Sequence, residues 1–192
     1  NNQPVTTKYM HFAKKAGSKI IVVSPTREYG PERYGAPSMM LSALFDTKSM
    51  DDFFQARVGG DIAFVNGVLK ALIAANQLDG DFIAKHTSGL PKLKEALEQQ
   101  SWKILEQRSG LSRAEMERFA RLYGRAKSAV FVYGMGLTQH EFGVENVEAI
   151  VNLALLRGMV GKPHAGLLPI RGHSNVQGVG SMGVTPTLKA AV

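Results

Sequence analysis

The run S-A-V-F-V-Y-G-M-G, from Ser128 to Gly136, joins an apolar, β-branched and aromatic stretch to a pair of glycines. Such a run, without polar alternation, reads as a strand buried on both faces, the mark of a parallel sheet. Leu137, Thr138, Gln139 and His140 follow, and then Val144, Val147, Ile150, Val151, Ala154 and Leu155 recur at helical spacing on one face. Strand, G-x-G and helix together resemble a dinucleotide-binding turn. The third glycine of the full fingerprint is not at its usual place, so this turn alone is a weak signal.

Outward from it, the same grammar recurs. Asn1 to Gly17 reads as a helix with Pro4 in its first turn, with Tyr9, Phe12, Ala13 and Ala16 at helical spacing and Gly17 as the stop. Lys19 to Val23 (K-I-I-V-V) is a second doubly buried strand. Helix followed by strand is half of a βαβ unit, so a preceding strand is expected before Asn1, as in an excised piece of a longer chain. Phe53 to Val58 reads as a short strand, followed by Gly59-Gly60 and a helix with Asp61 as N-cap. Ile62, Val65, Leu69, Leu72 and Ile73 form the apolar face of that helix. Ser24 to Asp51, with Pro25, Pro31 and Pro37, is an irregular excursion; its first residues, Ser24 to Arg27, follow the carboxyl end of a strand, where α/β proteins bind ligands. Asn76 to Gln107 is helical without evident chemistry. Leu111 to Gly124 is a helix opened by a Ser112–Glu115 capping box, with Leu111 and Met116 placed as a hydrophobic staple. Met116, Phe119, Ala120 and Tyr123 face the core of that reading. The fold class expected is α/β: a mainly parallel sheet flanked by helices, Rossmann-like, in one domain over residues 1–192.

The 192 residues carry no cysteine, so disulfides, thiolate metal sites and iron–sulfur ligation are excluded within them. Hydrophobic content of 44% and charged content of 20% are ordinary for a globular protein, and no apolar run reaches the length of a membrane span. Without a secretory leader, a cytoplasmic location is the default expectation. A net charge of +7 leaves a nucleic-acid-binding protein as an alternative. The basic residues are scattered, however, and lack interleaved aromatics.

The remaining distinctive stretch is Gly161 to Gly183, G-K-P-H-A-G-L-L-P-I-R-G-H-S-N-V-Q-G-V-G-S-M-G. It has neither helical nor strand periodicity. It reads as an ordered glycine-rich loop, anchored by Leu167, Leu168, Ile170, Val176 and Met182. Glycines allow close backbone approach to a ligand, Asn175 and Gln177 offer paired donors and acceptors, and Arg171 is a permanent cation shaped for carboxylate or phosphate.

On these motifs the chain resembles the molybdopterin oxidoreductases, formate dehydrogenase alpha subunits in particular. P-I-R-G-H-S-N-V-Q-G with S-M-G behind it is similar to that family's pterin loop. R-V-G-G-D-I-A-F-V-N-G, Arg57 to Gly67, is similar to its R-x-G-x-D-x-A-x-x-N-G motif, and Y-G-M-G-L-T-Q, Tyr133 to Gln139, to its G-M-G-x-T-Q motif. Asn1, Asn2 and Pro4 match the tail of a G-x-N-x-x-x-x-P turn, and S-P-T-R from Ser24 stands where the family has D-P-R.

The resemblance implies an internal segment of a catalytic subunit that binds two molybdopterin guanine dinucleotides around one molybdenum. It implies cofactor contacts at Asn1, Asn2, Ser24, Pro25, Arg27, Arg57, Gly59, Asp61, Met135, Gly136, Gln139, Gly172, Asn175, Gln177 and Gly178. Arg171 and His173 are implied beside the metal, holding a small anionic substrate such as formate. The family's protein ligand to the metal lies upstream, so no metal ligand is expected in this chain, and the segment alone is expected to be inactive. Any iron–sulfur cluster would lie outside it, and the electron-transfer partner is unknown. The resemblance implies that residues 161–192 form the pterin loop and tail. The family's usual glutamine is His173 here, and its usual aspartate is Ser181. A nucleotide-binding module without redox chemistry is the other alternative.

Overall fold

The computed structural model describes residues 4–27 and 50–184. The chain divides into two compact units, Asn1–Phe64 with Ser101–Met116, and Val65–Gln100 with Glu117–Val192.

In the first unit, helix α1 (Pro4–Lys15) ends on Gly17, whose φ of +91° lets the chain reverse while the Ser18 N–H bonds the Ala13 carbonyl at 3.0 Å. Strand β1 (Ile21–Val23) follows and pairs in parallel with β2 (Asp52–Phe54), Ile21 opposite Asp52. Asp51 fastens the start of this pair. It accepts from the Ile20 N–H at 2.8 Å and from Lys14 Nζ at 3.0 Å. Partial burial pushes its pKa up, but the Ile20 N–H and the Lys14 ammonium outweigh that and hold the carboxyl below its ordinary range. Helix α2 (Asp61–Ala74) begins here. Phe54 is fully buried and its ring lies 5.9 Å from that of Phe64. Helix α5 (Trp102–Ser109) is capped by Ser101, whose hydroxyl accepts from the Ile104 N–H, and ends on Gly110 in the left-handed region. Helix α6 (Arg113–Gly124) opens with the expected box: the Glu115 carboxylate accepts from the Ser112 N–H at 2.9 Å, and Leu111 and Met116 are both buried.

In the second unit, Val65, Val68, Leu69 and Leu72 of α2 are buried, whereas Ile73 is only half-buried. Helix α3 (Gly80–His86) is capped by Asp79, and α4 (Leu90–Glu98) starts with Pro91 in its first turn. Lys70 Nζ reaches the carbonyls of Leu97 and Gln100 at the end of α4, a favourable place for a cation. Strand β3 (Val130–Tyr133) pairs in parallel with β4 (Gly166–Pro169), Val130 opposite Gly166. Between them lie the single turn α7 (Met135–Thr138) and the long helix α8 (Gly143–Leu156); α9 (Val176–Ser181) follows β4. Tyr123 is buried, its hydroxyl donating to the Leu153 carbonyl at 3.0 Å, and Arg157 donates to the carbonyls of Gly124 and Ala126 just past α6.

Parallel pairing is as expected, but the strands are not covered on both faces. Val23, Val130 and Val132 are exposed. An unbroken apolar run identifies a strand, but its covering depends on elements far away in sequence. The strand expected over Phe53–Val58 stops at Phe54. Tyr9 and Phe12 of α1 are exposed rather than packed inward. The apolar face expected for α8 is buried at Ile150 and Ala154 but not at Val144, which is 71% exposed; Gly143, Asn146, Ala149 and Leu153 widen the buried stripe on its other side. Gly161 to Gly183 is not one loop, since it contains β4 and α9. Its supposed anchors Leu168, Ile170 and Met182 are exposed, leaving Leu167 and Val176 half-buried. The expectation for Asn1 and Asn2, and most of the Ser24–Asp51 excursion, lies outside the described residues.

Candidate functional site

The sequence-predicted residues that are described fall in two clusters, one in each unit, and each lies at the carboxyl ends of a parallel strand pair, where α/β proteins bind ligands.

In the first unit, β1 runs out into Ser24 and Pro25, and β2 into Gln55, Ala56 and Arg57. The Ser24 N–H donates to the Phe54 carbonyl, and Gln55 Nε2 donates to the Pro25 carbonyl at 3.0 Å, tying the two exits together. Arg27 lies with its guanidinium 5.6 Å from the Phe53 ring centroid. Arg57 is fixed at three places. Its N–H donates to the Ser109 carbonyl at 2.8 Å, its guanidinium donates to the Gln107 carbonyl at 3.1 Å, and its side-chain stem lies over Gly110. Ser109 is fully buried and braces that bend, its Oγ accepting from the Leu111 N–H at 3.1 Å. A cavity of about 490 Å³ opens beside Arg57. Pro25 and Arg57 are walls flagged by sequence; Gln55, Gly110, Leu111 and Glu115 are walls that were not.

Gly59 adopts a φ of +74°, as a tight turn before a helix requires. The glycine with no room for a side chain is its neighbour Gly60, where a Cβ would lie 2.7 Å from the Arg108 carbonyl oxygen. Asp61 is not outside the helix as its cap; it is the first residue of α2 and places its charge in the first turn.

In the second unit, the exits of β3 and β4 are also joined. The Ile170 N–H donates to the Tyr133 carbonyl at 2.7 Å, and a Cβ on Gly172 would come within 2.4 Å of Met135 Cε. The G-M-G turn and the R-G-H segment, 35 or so positions apart in sequence, are therefore neighbours. Met135, Gly136 and Gln139 are exposed around α7. Arg171 and His173 are exposed and make no hydrogen bond or ion pair with the described residues. Asn175, in the left-handed region at φ +52°, stands just before α9 without a side-chain capping bond; its side chain lies directly over Gly178, which has no Cβ to obstruct it. Gln177 is exposed, its carbonyl accepting from Ser181 Oγ. Among the described residues no group of three or more His, Asp or Glu side chains is arranged to hold a metal ion, and no helix is long and apolar enough to cross a membrane.

A protein-family model described as molybdopterin oxidoreductase matches residues 1–190. The chain is 37% identical over 196 aligned positions to Protein YdeP of Escherichia coli strain K12, covering 96% of this chain and 26% of that protein. It is 34% identical to formate dehydrogenase H of the same strain, covering 97% of this chain and 24% of the enzyme. It is 32% identical to the F420-dependent formate dehydrogenase subunit alpha of Methanocaldococcus jannaschii, covering 96% and 25%. Among solved structures, acetylene hydratase from Pelobacter acetylenicus shares the fold with a TM-score of 0.67 at 19% identity, covering 80% of this chain and 19% of that one. The chain spans about a quarter of the length of the curated relatives it matches. With its motifs at the carboxyl ends of paired parallel strands, and with the family match running almost from end to end, the chain belongs to the molybdopterin oxidoreductase family.

Proposed function

We propose that residues 1–192 act as one guanine-dinucleotide-binding module, Rossmann-like in design, within a molybdenum-dependent, formate dehydrogenase-like oxidoreductase of the cytoplasm. The observation that carries this reading is the Arg57 cavity at the exits of β1 and β2. Its volume of about 490 Å³ suits a nucleoside-sized group. Its donor set is also suitable: Arg57 keeps guanidinium N–H groups beyond the one given to Gln107, and Gln55 and Glu115 bring acceptor oxygens. In the second cluster, bare glycine backbone at Gly136 and Gly172 and the amides of Asn175 and Gln177 fit the heteroatom-rich edges of a pterin. The residues therefore fit the cofactor.

Arg57, Gly59 and Asp61, with Ser24, Pro25 and Arg27, would hold the guanosine end. In the second unit, Met135, Gly136, Gln139, Gly172, Asn175, Gln177 and Gly178 would contact the molybdopterin cofactor. The bound molybdenum cofactor would supply two-electron chemistry. Arg171 would attract and orient a small carboxylate such as formate, and its permanent charge suits that task at any working pH. His173 would donate a hydrogen bond to the same anion or to the pterin, more strongly when protonated.

The test separates the two arginines in the full-length protein. Arg57→Ala should lower molybdenum and pterin content per polypeptide. Arg171→Ala should keep both and lose at least tenfold in formate turnover, the scale of one charge-assisted hydrogen bond. Full cofactor content in Arg57→Ala would remove the cavity from the cofactor site, and unchanged turnover in Arg171→Ala would remove formate binding from Arg171.

A further inference from the structure

Two polar side chains are buried among the described residues, Ser109 and Asn146. Ser109 braces the bend under Arg57. Asn146 stands at 4% exposure on the inner stripe of α8, where an apolar side chain would be expected. Its Nδ2 donates to the Leu137 carbonyl at 2.9 Å, the middle of the single turn α7. The carbonyls on either side are met as well. His140 Nε2 lies 2.7 Å from the Gly136 carbonyl, to which it must donate, and Gly143 presses so close to the Thr138 carbonyl that a Cβ would stand 2.2 Å from it. One isolated helical turn has little stability of its own, because nucleation costs more than its few bonds return. Here three successive carbonyls are seated by residues just downstream.

We propose that Asn146 is a positioning residue for the cofactor: by holding the Leu137 carbonyl from inside α8, it fixes the Met135–Gln139 turn in the shape that meets the ligand. This rests on the reading that the turn contacts the cofactor. The Leu137 carbonyl shares one rigid peptide plane with the Thr138 N–H, and the turn's own bonds, Leu137 N–H to the Gly134 carbonyl and Gln139 N–H to the Met135 carbonyl, tie the neighbouring planes to Met135 and Gly136, so holding that carbonyl orients the turn's backbone. Asn is suited to the task because its amide spans the gap that Ser cannot and adds no charge to a buried position.

The experiment uses the cofactor-loaded full-length protein. Asn146→Asp replaces the donor with an acceptor, and Asn146→Leu keeps the volume without a polar atom; the latter carries the comparison if the former does not fold. Leu153→Ala, on the same helix and buried at 3% exposure, serves as a destabilised control that leaves the turn alone. The first-order release of pterin, followed by its fluorescence after oxidation, is measured with the amide exchange of Leu137 and Gln139, whose N–H groups close the turn onto Gly134 and Met135. Both Asn146 variants should release pterin about tenfold faster, the usual scale for one lost hydrogen bond, with faster exchange at those two amides. Leu153→Ala should lower the thermal midpoint without that release. Pterin release no faster in the Asn146 variants than in Leu153→Ala would overturn the proposal. Gly136→Val tests the underlying reading separately, since a Cβ at Gly136 meets no protein atom within 4 Å. If Gly136→Val retains pterin like the wild type, the turn is not a cofactor contact and both ideas fall. If it sheds pterin while the Asn146 variants do not, only the positioning role falls.

Discussion

Gly59 and Gly110 form a matched pair. Their φ angles are +74° and +75°, so a side chain at either meets the same backbone penalty, about 1–2 kcal/mol for an L-residue in the left-handed region. Their surroundings differ. A Cβ at Gly59 meets nothing within 4 Å, whereas at Gly110 it would lie 2.6 Å from Arg57 Cγ and 3.1 Å from Cδ. Cγ is near the backbone end of the side chain, and the far end is bonded to the Gln107 carbonyl, so relief requires Arg57 to swing away and lose that bond. An exposed hydrogen bond of this kind is worth about 0.5–1.5 kcal/mol. Gly59→Ala should therefore cost about 1–2 kcal/mol and Gly110→Ala about 1 kcal/mol more. In urea, with a slope of about 2 kcal/mol per molar, the extra cost shifts the midpoint by about 0.5 M. The excess should vanish when Arg57 is already alanine, which a double-mutant cycle measures directly. Equal costs for the two glycines, or an excess that survives Arg57→Ala, would refute the account of Arg57 as pinned over Gly110.

Asp51→Asn should destabilise by less than about 1 kcal/mol near neutral pH, because the Lys14 pair is partly exposed. The folded-state pKa of Asp51 is depressed, so its contribution is present above the ordinary carboxylate pKa and is lost as pH falls through the lower folded value. Urea midpoints of wild type and variant should accordingly begin to converge below about pH 4 and keep converging as the pH falls further; a gap that stays constant throughout acidification would contradict the assignment. Arg157→Met keeps the stem but strands the Gly124 and Ala126 carbonyls, and calorimetry should show a loss of about 2–3 kcal/mol. A loss below about 0.5 kcal/mol would mean that water replaces the guanidinium fully.

What could be read from the sequence was whatever neighbouring residues settle among themselves. The Ser112–Glu115 box, the Gly17 stop and the two parallel-type runs depend on residues a few positions apart, and they appear where expected. The crowding at Gly60 and Gly110 was hidden because it comes from Arg108 and Arg57, some fifty positions away. β4 escaped because its four residues, Gly166 to Pro169, are too few to show a period, and only pairing with β3 makes them a strand. The stripe of α8 was legible at Ile150 and Ala154 but not at Gly143 and Asn146, which carry no apolar side chain to mark it. Of the candidate site, the motif residues were legible; the walls contributed by Gln55, Gly110, Leu111 and Glu115 were not, because they become neighbours only when the cavity forms.

The parallel pairing also has a kinetic consequence. Neither pair can zip up from a tight turn, because Asp52 must find Ile21 and Gly166 must find Val130 across long intervening segments. Helices such as α6 and α8 form from local contacts within microseconds, whereas closing such distant strand partners is the slow part of a search. Both candidate clusters sit at the strand exits, so they are assembled late. During synthesis, the ligand-contacting loops of this chain should be the last part to mature, leaving unpaired strand edges open to other chains until then.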